Sequence, residues 1–141
     1  MKNDIWNKLN EAAEKIYKPT EVSKFIDAYH VVCAIESESG KIYTGFCIEG
    51  ASGVINLCAE RMAALNMFSA SGETVVKRLL CRRDNPPVEN GGIPCGACRE
   101  FFMQLSPENK DMEIITDFGT RSIVTLEKIY PNWWGWKRVK E

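Results

Sequence analysis

A layered α/β domain built on a mixed sheet is the fold class this sequence predicts, and three features carry that prediction. A helical apolar period opens the chain, a β-rich hairpin follows it, and helix and strand signals then alternate to residue 126.

The opening segment sets Ile5, Trp6, Leu9, Ala12, Ala13, Ile16 and Tyr17 on a helical period, with Asn3 or Asp4 as its cap. Pro19 ends it, and the helix is expected to cover one face of the sheet. Residues Tyr29 to Glu36 are β-rich, and Ser37-Glu38-Ser39-Gly40 reads as a hairpin turn into Lys41 to Ile48. A helix is expected from Cys58 to about Ala70, then a strand from Val75 to Arg82. A Pro/Asn/Gly-rich loop from Asp84 to Gly92 leads to Pro94. A second helix starts near Cys95, sends Phe101, Phe102 and Leu105 to the core, and breaks at Ser106-Pro107. Two short strands, Met112 to Thr116 and Ser122 to Leu126, close the pattern around a turn at Asp117-Phe118-Gly119.

A chain of 141 residues is long enough to bury a core without staples, and no linker or internal repeat divides it, so one domain over residues 1–141 is expected. The composition, 45% apolar and 26% charged, is ordinary for a globular protein. A formal net charge of −1 gives no support to nucleic-acid binding, and Lys137, Arg138 and Lys140 read as a solvated tail. No apolar run follows Met1 and none reaches the length of a membrane span, so a cytoplasmic protein with reduced thiols is expected.

The chemistry is concentrated in Cys58-Ala59-Glu60 and Pro94-Cys95-Gly96-Ala97-Cys98. A C-x2-C pair offers two thiolates from one turn, and Cys58 can complete a tripod. Catalytic zinc sites keep three protein ligands and leave one position open, whereas structural sites are closed by four. Glu60 stands two residues from Cys58, where a proton carrier is useful; by itself it would read as a surface glutamate on a first helical turn. A structural zinc would need Cys47, Cys81 or His30 as fourth ligand, and there is no second C-x2-C. A redox dithiol at Cys95 and Cys98 lacks a thioredoxin-like setting. Both motifs fall at expected helix N-termini, whose partial positive charge favours thiolate. Cys33 and Cys81 lie in apolar strands and read as small core residues.

These motifs, 37 positions apart from Cys58 to Cys95, resemble the cytidine deaminase family. The likeness extends from Tyr29 through Gly40-Lys41-Ile42-Tyr43-Thr44-Gly45 to Pro131-Asn132-Trp133-Trp134-Gly135. It implies a three-layer fold with a five-stranded mixed sheet flanked by helices. It also implies hydrolytic deamination of a cytosine-type nucleoside, one Zn2+ per subunit held by Cys58, Cys95 and Cys98, and a homotetramer. Glu60 would be the catalytic acid/base, and Arg61 would hydrogen-bond the thiolates and offset their charge.

The pocket departs from the small tetrameric members. Where they carry Asn-x-Glu for the ribose, this chain has Cys47-Ile48-Glu49; Glu49 is kept, but Cys47 cannot reproduce an amide's donor and acceptor pair. Tyr29 aligns with the family's pocket phenylalanine, and blasticidin S deaminases, a related branch, carry a tyrosine in a comparable context and an aromatic-rich tail. Trp134-Gly135 matches a Phe-Gly whose ring reaches a neighbouring subunit's pocket, so Trp134 joins Tyr29, Cys47 and Glu49 as a substrate-contact candidate. Trp133 and Trp136 read as packing or interface residues. Glu100 replaces the family's glutamine, and Arg99 is expected to satisfy backbone or subunit contacts. The expected substrate is cytidine, deoxycytidine or a nucleoside antibiotic such as blasticidin S. The rival is a non-catalytic, zinc-stabilised nucleotide-binding or interaction domain. Nucleic-acid deaminases generally use His-x-Glu, which this chain lacks.

Overall fold

Helix α1 (Ile5–Ile16) starts where the Asp4 carboxylate accepts the Asn7 backbone N–H at 2.8 Å, and it stops at Tyr17, short of Pro19. The computed structural model describes residues 4–83 and 92–141; Asn3 and residues 84–91 of the expected loop lie outside the described residues. The chain then forms β1 (Thr20–Glu21), β2 (Ile26–Ser37) and β3 (Ile42–Gly50), with Gly40 at φ +90° in the hairpin turn. Helix α2 (Ala59–Ser71) ends at Gly72, whose left-handed φ of +74° lets its N–H close on the Phe68 carbonyl at 2.8 Å. After it come β4 (Val76–Arg83), α3 (Gly96–Leu105), β5 (Glu113–Asp117) and β6 (Ser122–Thr125). Two one-turn helices, α4 (Leu126–Ile129) and α5 (Trp136–Val139), finish the chain.

The long strands run in the order β3-β2-β4-β5-β6, antiparallel except for the parallel pair β4–β5 that α3 bridges. Among the described residues the sheet has six strands rather than the five expected. The extra one is β1, two residues paired with Asp27 and Ala28 of β2, a strand too short for an alternating pattern to announce it.

Central β2 is buried on both sides, and its side chains alternate accordingly. Val32 and Ala34 pack with Leu80 and Ile115 under Trp6, Leu9 and Ala13 of α1. Cys33 and Ile35 face the other way, with Leu79 and Ile114, against Met67 of α2 and Phe102 of α3. These two faces make the expected three layers, and burying the second one brings the N-termini of α2 and α3 together. No helix among the described residues is long and apolar enough to cross a membrane.

Candidate active site

The close approach of α2 to the sheet begins with Gly45. A Cβ there would overlap the Ala63 nitrogen and the Ala59 carbonyl oxygen and sit 2.9 Å from the Ala63 Cα, so only glycine on β3 admits the helix backbone. Cys58 is the N-cap residue of α2 and Cys95 that of α3, with Cys98 in the first turn. Their three Sγ atoms lie within 4.8 Å of one another, and Cys58 and Cys95 are 3.6 Å apart. Sulfurs on a tetrahedral zinc with ~2.3 Å bonds stand about 3.8 Å apart, so this spacing fits such an ion. All six cysteines are free thiols, and neither Cys47, Cys81 nor His30 joins the group among the described residues.

Arg61 Nη2 donates to Cys58 Sγ at 3.5 Å, while its buried Nε has no hydrogen-bond partner. A cation beside three thiols with an orphaned donor is what an anionic metal-thiolate cluster requires. Cys95 lies below the ordinary thiol range: burial opposes this, but backbone N–H groups of Cys98 and Ala97 and the neighbouring thiols outweigh it. Burial pushes the Cys98 thiol up, Glu60 adding to the effect, and a bound cation would reverse that.

Glu60 is 3% exposed. Burial raises its pKa, against an opposing pull from its own backbone N–H and from Arg83, Cys81 and Arg61. It lines a cavity of about 250 Å³ together with Cys58, Cys95, Cys47, Glu49 and Arg83. The pairing of β2 with β3 shifts register between Ala28 and Val32, which leaves Cys47 facing the bulged residues. Its Sγ accepts the Val31 N–H and donates to Glu49 Oε1, each at 3.3 Å.

Two expected pocket residues do not reach this cavity. Tyr29 sits in the bulge at φ +67° and stacks on Phe46, ring centroids 4.1 Å apart, beside the α1 layer. Trp134 is 59% exposed on the chain surface. Over 108 residues the chain is 31% identical to the cytidine deaminase of Mycoplasma pneumoniae, a match spanning 77% of this chain and 74% of that protein.

The chain belongs to the cytidine deaminase family. The cytidine deaminase of Halalkalibacterium halodurans is 28% identical over 103 residues, 73% of this chain and 75% of that one. The crystal structure of the Mycobacterium tuberculosis cytidine deaminase superposes with a TM-score of 0.69 at 24% identity, covering 94% of this chain and 99% of that chain. No family model matches the sequence.

Within this cytidine deaminase fold, two residues acquire parts that the sequence did not disclose. The Glu100 carboxylate accepts the Tyr130 hydroxyl at 2.5 Å and Trp133 Nε1, Trp134 Nε1 and Gln104 Nε2 at 2.9 Å each. It ties α3 to the aromatic tail, inside which Trp133 is buried and Gly135 passes so close that a Cβ would overlap the Trp133 ring. Arg83, the last residue of β4, enters the cavity. Its signal was the Arg82-Arg83 pair at a strand end, which cannot be divided between two faces without the register. Arg99 behaves as expected, donating to the Pro94 and Ile129 carbonyls at 2.8 Å each.

Proposed function

We propose that this protein is a zinc-dependent hydrolase that converts a cytosine-type nucleoside to its uracil form with release of ammonia. The observation that carries the proposal is the three-thiol group, at zinc spacing, opening on the same cavity as buried Glu60. Cys58, Cys95 and Cys98 would hold one Zn2+ per subunit, with Arg61 bonded to the cluster. When bound, the ion supplies Lewis acidity that lets water attack at neutral pH. Glu60 takes the proton of the attacking water on its carboxylate and delivers it to the ring nitrogen of the base. As the C–N bond breaks and the carbonyl forms, the same carboxylate takes the second proton, from the hydroxyl added to the ring carbon, and passes it to the departing ammonia. Its burial, which favours the protonated carboxyl, suits the delivery half of that cycle.

Glu49 accepts hydroxyl protons of the sugar beside Cys47. Trp134, exposed in the single chain, meets the substrate or a neighbouring copy in a homotetramer, and Tyr29 shapes the bulge opposite Cys47 rather than stacking on the base. Cytidine, deoxycytidine and blasticidin S are the first substrates to try, in a cytoplasmic, single-domain enzyme that binds no nucleic acid. A non-catalytic role would call for a closed metal shell, and the described residues offer three donors. The test is ultraviolet-monitored deamination of those three compounds by wild type and Glu60→Gln, both zinc-replete. Turnover should fall by about 10²–10⁴-fold in the variant at unchanged zinc content. No turnover of any compound by folded, zinc-loaded wild type would sink the proposal.

A further inference from the structure

Strand β4 ends in two arginines, and the pleat sends them to opposite faces. Arg82 turns to α1, pairing with Glu14 at 3.0 Å and lying over the Tyr17 ring. Arg83, in register with Val31 of β2, turns to the other face and lines the cavity beside Glu60, Cys58 and Cys95. It is exposed and forms no ion pair with a described residue. Among the described residues lining the cavity it is the one cation.

The other polar groups of the cavity are carboxylates or already engaged. The Cys47 thiol is held between the Val31 N–H and Glu49, and Asn56 Oδ1 accepts the Gly50 N–H at 2.7 Å. Glu49 repels an anion at its side of the cavity, and Arg83, whose charge also reaches Glu60, is the group in the lining that can hold a negative charge on a ligand. A guanidinium there offers a planar fork of donors that matches phosphate or carboxylate oxygens bidentately. A neutral hydroxyl in the same place gains little over water.

We infer that Arg83 binds an anionic group on the sugar of the substrate, a phosphate or a carboxylate, and so selects a cytosine nucleotide or nucleoside acid over neutral cytidine. The cytosine half of this assignment rests on the deaminase proposal; the anion half does not.

The test separates the two by measuring product binding as well as turnover. Calorimetry with the zinc-loaded protein compares uridine, uridine 5′-monophosphate and uridine 5′-carboxylate, for wild type, Arg83→Gln and Arg83→Lys. At least one anionic ligand should bind about tenfold tighter than uridine to wild type, the scale of a charge-assisted hydrogen bond. Arg83→Gln should abolish that preference, Arg83→Lys should keep part of it, and salt should weaken it. Whichever anion binds tighter identifies the phosphate or the carboxylate as the natural group. Equal affinity of wild type for all three ligands, or an anion preference that survives in Arg83→Gln, overturns the inference. Deamination of the matching cytosine compounds is scored separately. An Arg83-dependent anion preference without turnover leaves this inference standing and removes the deaminase proposal; cytidine turnover without anion preference does the reverse.

Discussion

Replacing Glu100 by glutamine removes one charge from the point where α3 meets the aromatic tail. Burial opposes ionisation of this carboxyl, yet hydrogen bonds from Tyr130, Trp133, Gln104 and Trp134 outweigh it and hold the pKa at about 2, against an ordinary 4.5. Such a depression corresponds to at most about 3.4 kcal/mol of native-state stability. The side chain is only partly buried, and solvent screening reduces that ceiling to about 1–2 kcal/mol. Glu100→Ala should cost more, about 2–3 kcal/mol, because it leaves the indole N–H of the buried Trp133 without an acceptor. In urea titrations followed by tryptophan fluorescence, at fixed protein concentration and zinc, the Glu100→Gln midpoint should fall by about 0.5–1 M. The sign with pH follows from a folded value that is depressed. The wild-type advantage is fully present above the unfolded value near 4.5, and it shrinks as pH falls from there toward about 2. The gap between wild type and Glu100→Gln should therefore be smaller at low pH than at neutrality. A variant midpoint within about 0.2 M of wild type at pH 7, or a gap that widens on acidification, refutes this account of Glu100.

Gly45→Ala should destabilise the protein by about 2–3 kcal/mol, seen as a lower melting temperature, because its Cβ would push α2 away from β3. Zinc content should drop in parallel, since Cys58 caps that helix; a variant with native melting and full zinc contradicts the close-approach argument. Stripping the metal with a chelator should lower the melting temperature by an amount that free zinc restores, as for any ligand bound to the native state alone. It should also expose thiols to a disulfide reagent, Cys95 first because it is exposed, while the buried Cys33 stays protected in the folded protein. A melting curve and thiol count indifferent to chelation would remove the metal from the proposal.

What the sequence by itself determined was local. An apolar period and a cap define α1, a glycine turn closes the β2–β3 hairpin, and two cysteine motifs fall at the helix starts that present them. Each of these depends on neighbours a few residues away, and such signals survive in one dimension. The likeness to cytidine deaminases was legible for a related reason, because metal-ligand spacing within a turn is itself a short-range pattern. Tertiary structure decided everything that depends on register and on which face a strand presents. It brought Cys58 to Cys95 across 37 positions, and it turned Arg82 to α1 and Arg83 to the cavity. The bulge at Tyr29 sent that ring to Phe46 instead of the pocket, and the path of the tail gathered three aromatic donors on Glu100. A one-residue change of register exchanges the faces of a strand while leaving its sequence untouched. The residues that line the cavity are therefore set by long-range packing, and only the fold could name them.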